Sequence, residues 1–123
     1  MEENKKFSVL ARLKSFKHAF NGLGFFLRND HNGRVHIFAA TCAMILSWYL
    51  GLSGLEWIAI LSVIVAVLVA EIINASIEKL ADVVSAAYHP KIKIVKDLAA
   101  AAVLLMAFLA LAVAGIIFIP KLF

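Results

Sequence analysis

Glu71, Asn74, Glu78 and Asp82 stand at i, i+3, i+7 and i+11 in the run Ala70-Glu71-Ile72-Ile73-Asn74-Ala75-Ser76-Ile77-Glu78-Lys79-Leu80-Ala81-Asp82. On an α-helix these offsets share one face, within roughly 80°. Three carboxylates and an amide thus form a polar stripe on an otherwise apolar helix. Acids stacked at this spacing repel one another unless a cation lies among them, and a divalent metal is the simplest such cation. Further along, Lys96-Asp97 offers a cation able to hold phosphate oxygens and another carboxylate. These are the parts of phosphoryl transfer to an alcohol: Mg²⁺ bridging phosphates, cations near the developing charge, and a carboxylate to take the hydroxyl proton. Glu71 suits the last role. The competing reading is structural pairing of the acids with lysines, although Lys79 lies on another side of the helix from the stripe.

The elements that must position these groups are membrane helices. The chain has 123 residues, of which 63% are hydrophobic and 16% charged. A soluble domain of this size has too much surface to hide so much apolar side chain. The charge is also segregated, leaving three apolar segments at about 35–52, 55–80 and 98–119. Each is close to the ~20 residues that a helix needs to cross ~30 Å of hydrocarbon. Gly51, Ser53 and Gly54 punctuate a tight turn between the first two, with Trp48, Tyr49 and Trp57 clustered around it as interfacial aromatics. Glu71 then lies about 21 Å along the helix from Trp57, at ~1.5 Å per residue. An ionisable group at that depth costs at least ~2.5–3.5 kcal/mol on insertion scales, so it needs a compensating reason.

Basic residues give the orientation. Lys5, Lys6, Arg12, Lys14, Lys17, Arg28 and Arg34 precede the first span, and Lys79, Lys91, Lys93 and Lys96 lie between the second and third. The turn carries none and the C-terminus carries only Lys121. The positive-inside rule puts the N-terminus and the 80–97 loop in the cytoplasm, where the chemistry is expected. Between about residues 8 and 29, Val9, Leu13, Phe16, Phe20, Leu23 and Leu27 form an apolar stripe opposite Lys14, Lys17, His18, Asn21 and Arg28. This pattern predicts a basic amphipathic helix lying in the headgroup plane, its charge directed to membrane and not to nucleic acid.

The other features read more plainly. No removable signal peptide is expected, because the basic N-terminal stretch lacks a compact apolar core with a cleavage site. Cys42 has no partner in the sequence and reads as a small lipid- or core-facing residue. His31 and His36 lack the companions of a zinc site and read as interfacial hydrogen-bonding groups. His89, before Pro90, shapes the loop. Ala99–Ala102, Ala107, Ala110, Ala114 and Gly115 suit close helix packing or self-association. No P-loop or protein-kinase motif set is present. A small ion channel or transporter is the alternative of another class, but residues 57–70 are apolar apart from Ser62, so the stripe has no path to the far face. A non-catalytic anchor would not need Glu71, Asn74, Glu78 and Asp82 in register.

The stripe, Tyr88-His89-Pro90 and Lys96-Asp97-Leu98-Ala99-Ala100-Ala101-Ala102-Val103-Leu104 together resemble the prokaryotic diacylglycerol kinase family, which includes undecaprenol kinases. Phe16-Lys17-His18-Ala19-Phe20-Asn21-Gly22-Leu23 and Arg34-Val35-His36 extend the resemblance to about residues 14–119. It implies a single all-α lipid kinase domain over 1–123, with three spans and a surface helix. It also implies a homotrimer in the bacterial cytoplasmic membrane, with active sites shared between neighbouring subunits. Carried onto this chain, the resemblance makes Glu71 the base and Glu78 a Mg²⁺ ligand with the phosphates of ATP. Asn74, Asp82, Lys96, Asp97 and Lys17 become lipid- or nucleotide-binding residues. Asp30 takes the place of a metal-binding glutamate, and its shorter side chain demands a shifted backbone or a bridging water. Tyr-His-Pro and Arg-x-His are closer to the undecaprenol kinase branch, favouring a polyprenol acceptor over diacylglycerol. A polyprenol product would feed the carrier lipid of envelope synthesis, whereas a diacylglycerol product would be phosphatidate.

Overall fold

A computed structural model describes residues 6–123 as four helices: α1 (Val9–Asn29), α2 (His31–Leu50), α3 (Gly54–Val84) and α4 (Pro90–Leu122). The chain divides into two compact units, one ending at Asp30 and one from His31 to Phe123.

The first unit is α1. Ser8 caps it, its hydroxyl accepting from the Ala11 N–H at 3.2 Å, and the Asp30 N–H closes the far end on the Phe26 carbonyl at 3.0 Å. Arg28 lies in the last turn, where a cation complements the exposed carbonyls. The helix runs unbroken through Gly22 and Gly24. Val9, Leu13, Phe16, Phe20, Leu23 and Leu27 are all at least 44% exposed, so an apolar stripe lies open along it.

The second unit is a three-helix membrane bundle. Its helices α2, α3 and α4 are each long and apolar enough to cross a bilayer. The α2–α3 turn is compact because each end is capped. Gly51, at φ +66°, takes the left-handed conformation, and its N–H donates to the Trp48 carbonyl at 3.3 Å. The Leu52 N–H reaches the Ser47 carbonyl at 3.3 Å, and the Leu52 side chain is buried. This is a Schellman stop with its hydrophobic contact. Ser53 then starts α3 with a capping box: its hydroxyl accepts from the Glu56 N–H at 3.2 Å, and Glu56 Oε1 accepts from the Ser53 N–H at 2.9 Å.

At the other end of α3 the apolar segments prove to be the middles of longer helices. α3 continues to Val84 and α4 begins at Pro90, so the connection narrows to residues 85–89. Lys91, Lys93, Lys96 and Asp97 therefore lie on the opening turns of α4, not in a loop. Hydropathy marks where lipid begins, whereas caps decide where the helix begins. Here His89 is the cap, in extended backbone, with Nδ1 accepting from the Lys91 N–H at 3.1 Å and Pro90 next to it.

Ion pairs near both ends join α3 to α4. Near the α2–α3 turn, Lys121 Nζ lies 3.2 Å from Glu56 Oε1, and at the opposite end Lys96 Nζ lies 2.7 Å from Asp82 Oδ1. Along α3 these anchors are about 39 Å apart at ~1.5 Å per residue, against ~40–45 Å for a bilayer with its headgroups. The buried core is concentrated near the Glu56 end, where Leu52, Ile60, Ile117 and Phe118 meet and Trp57 packs against them. Trp48 and Tyr49 face outward, and Cys42 is a free thiol on the exposed face of α2.

Candidate active site

The stripe on α3 grades from buried to exposed. Glu71 is 2% exposed and Asn74 5%, whereas Glu78 and Asp82 are exposed. The two buried members are polar groups on an apolar helix, where each requires a partner. Glu71 Oε2 faces His36 Nε2 of α2 at 3.8 Å. Asn74 Oδ1 is buried with no hydrogen-bond partner. A buried amide oxygen left unpaired costs about 1–3 kcal/mol, so this oxygen is open to a further donor or cation.

Between α2, α3 and α4 runs an apolar groove of about 290 Å³, lined by Ala39, Ala40, Val63, Ile64, Val67, Leu68, Ala107 and Ala110 among others. Its single polar lining residue is His36, the same residue that faces Glu71. The alanines of α4 are what leave this space open: with only a methyl group apiece, they do not fill it.

The exposed end of the stripe is arranged differently from its buried end. Asp82 receives Lys96 from α4, and Asp97 is held by Lys93 of its own helix at 2.6 Å. Adjacent residues on a helix point about 100° apart, so Lys96 and Asp97 serve different partners. At the exposed end, then, Asp82 does find a lysine. Among the described residues no three His, Cys, Asp or Glu side chains converge into a metal-holding group. Mg²⁺ does not require one, since it keeps several waters and commonly takes one or two carboxylates with substrate phosphates. The oxygen donors present, the Glu78 carboxylate and the unpaired Asn74 oxygen, suit a hard cation.

The profile of the prokaryotic diacylglycerol kinase family matches residues 17–118. The chain belongs to that family. It is a lipid kinase, and its similarity to characterised members extends over most of its length. An undecaprenol kinase of Bacillus subtilis is 35% identical over 109 residues, covering 89% of each chain. A diacylglycerol kinase of Synechocystis sp. is 32% identical over 111 residues, covering 89% of this chain and 63% of its own. A diacylglycerol kinase of Helicobacter pylori is 34% identical over 108 residues, covering 80% and 83% respectively.

In this lipid kinase the structure groups Glu71 and Asn74 at the buried end of the stripe, with Glu78, Asp82 and Lys96 toward the exposed end. Lys17 is an exposed side chain of α1, and Asp30 is the residue that caps that helix. Sequence reasoning reads His36 as an interfacial hydrogen-bonding group and does not place it beside Glu71, which it faces at 3.8 Å. The signal was available: His36 precedes the Gly51–Gly54 turn by about as many residues as Glu71 follows it, so a helical hairpin brings the two to one depth.

Proposed function

We propose that this kinase transfers the γ-phosphoryl group of ATP to the hydroxyl of a membrane lipid alcohol, with undecaprenol preferred to diacylglycerol. The observation that carries the proposal is the buried Glu71–Asn74 pair beside the end of the apolar groove. A carboxylate there meets an alcohol presented from the lipid, while Glu78, Asp82 and Lys96 extend toward water and nucleotide.

In this reading Glu71 takes the hydroxyl proton as the oxygen attacks phosphorus, and Asn74 orients the lipid headgroup. Lys96, braced by Asp82, lies near the phosphates, with Asp97 on the nucleotide side. Mg²⁺, when bound, neutralises charge on the phosphate oxygens, and Glu78 would hold it. Lys17 for nucleotide and Asp30 for metal are assignments supported by family resemblance, and substitution tests each separately. The preference for a polyprenol is supported by Tyr88-His89-Pro90, by Arg34-Val35-His36 and by the likeness to an undecaprenol kinase. Basic residues flanking the spans support a cytoplasmic active site in the bacterial inner membrane. The open apolar stripe of α1 supports a helix lying at the membrane surface. The wide exposed apolar faces of the spans are compatible with a homotrimer.

The test is phosphate transfer by purified protein in lipid micelles, with Mg²⁺ or chelator, undecaprenol and diacylglycerol being offered separately. Metal-dependent transfer, faster to undecaprenol and absent in Glu71→Gln, is expected. No transfer to either alcohol by folded protein would overturn the proposal, and faster transfer to diacylglycerol would reverse the order of acceptors.

A further inference from the structure

We propose that His36 is a catalytic residue that holds the acceptor hydroxyl jointly with Glu71, so that the alcohol oxygen sits between the imidazole and the carboxylate. The inference rests on the lipid kinase reading and adds to it a residue that binds the reacting atom. His36 Nε2 and Glu71 Oε2 are 3.8 Å apart, too far for a direct hydrogen bond and close enough for one oxygen to bridge them. An oxygen about 2.8 Å from both would span that gap at an angle near 85°, and parting the two side chains to about 4.5 Å would bring it to the tetrahedral angle of a hydroxyl that donates one bond and accepts another.

The surroundings of His36 point to the same ligand. Its side chain is 25% exposed while that of Glu71 is 3% exposed, so the imidazole is the half of the pair that an incoming group meets first. It is also the polar terminus of a groove whose other lining residues are all apolar. A ligand that suits both features has a hydrocarbon chain ending in an alcohol. A free sugar or a water-soluble alcohol lacks the chain, and an alkane lacks the group that would bridge His36 to Glu71. From α4 no titratable side chain competes at this depth, since none lies between Asp97 and Lys121.

In the transfer step the imidazole N–H donates to the hydroxyl oxygen and fixes its position. The O–H bond breaks as its proton passes to Glu71, and the oxygen forms its bond to the γ-phosphorus. The bond from that phosphorus to the bridging oxygen breaks, and its electron pair leaves with ADP. His36 keeps its proton throughout. It acts by placing the oxygen, and near-attack placement is where much of the gain in bimolecular transfer lies.

Two measurements test this. The first compares kcat/KM for undecaprenol and KM for ATP in wild type, His36→Phe and His36→Gln, each checked for folding by thermal unfolding in detergent. His36→Phe keeps a flat ring and loses the donor, so kcat/KM for the lipid should fall about tenfold or more while KM for ATP stays within about twofold. His36→Gln restores a donor and should recover much of the loss. Wild-type lipid kinetics in folded His36→Phe, or equal damage in both variants with a raised KM for ATP, would overturn the assignment.

The second follows the ¹⁵N signals of the His36 imidazole without nucleotide as undecaprenol, or a hydrocarbon of similar length, is added. A shift with the alcohol alone is expected, and no shift with the alcohol overturns the proposal. This readout also separates the two claims. An imidazole shift in protein that transfers no phosphate would sink the kinase reading and leave the hydroxyl site standing. Active wild type whose imidazole and His36→Phe kinetics do not respond would sink the hydroxyl site alone.

Discussion

Lys96 of α4 reaches Asp82 of α3 at 2.7 Å, tying the first turns of one helix to the last turns of the other. Lys96 follows His89 by as many residues as Asp82 precedes it, so the pair closes the hairpin symmetrically about its connection. Both groups are more than a third exposed, so water screens their attraction and the pair contributes about 0.2–1 kcal/mol at most. Exchanging the charges (Asp82→Lys with Lys96→Asp) should therefore leave the unfolding temperature in detergent nearly unchanged. Activity should not survive the exchange if Lys96 serves the phosphates as proposed, because a carboxylate would then stand in place of the cation. Retained activity in the swapped protein would show that the pair only braces the hairpin.

Glu71→Gln should lower the transfer rate by about 10²–10⁴-fold, the usual contribution of a positioned base. Glutamine keeps the shape of the side chain, so thermal unfolding should show a folded protein. Rate measurements with lipid alcohol and ATP both saturating decide it, and a loss of less than about tenfold would deny Glu71 the role of base.

Asn74 gives the sharpest separation of stability from activity. Its buried Oδ1 has no hydrogen-bond partner, and Asn74→Leu would replace an unpaired polar atom with carbon of similar size. Stability should rise by about 1 kcal/mol while phosphate transfer is lost. A destabilised and active variant would mean that the amide is part of the packing.

Glu78→Gln should raise the Mg²⁺ concentration needed for half-maximal rate by roughly tenfold or more. A titration of rate against Mg²⁺ at fixed ATP reads the effect directly. An unchanged midpoint would move the metal away from Glu78.

Gly51→Ala isolates backbone conformation. A Cβ at this position meets nothing within 4 Å, so the cost comes from the φ of +66° alone. About 1 kcal/mol of destabilisation is expected, measured by unfolding, with the kinetic constants for lipid and ATP unchanged.

Much of this architecture was legible in the residues because lipid enforces it. Long apolar runs leave the chain little alternative to helix, and the periodicity of Glu71, Asn74, Glu78 and Asp82 puts them on one face. The helix ends were less legible. Pro90 and the lysines after it continue α4 well before its apolar part begins, and only the His89 cap marks that start. The pairing of Lys121 with Glu56 was hidden for a related reason. Nothing local to either residue announces it, and it emerges only when α3 and α4 are laid antiparallel. The approach of His36 to Glu71 is not announced by a lone histidine; it emerges only when the depths of the two residues are compared.

The two ion pairs at the ends of the α3–α4 hairpin also carry a mechanical consequence. With Glu56 paired to Lys121 and Asp82 to Lys96, the two helices have a preferred register, and sliding past each other would break both pairs. A thinner or thicker bilayer can leave that register intact by tilting the hairpin or deforming its own lipids, at fractions of a kcal/mol per ångström. Tilt would change the depth at which Glu71 meets an alcohol whose own level is set by the surrounding lipid. The acyl-chain length of the host membrane would thereby bear on how often an acceptor hydroxyl and the Glu71 carboxylate come level.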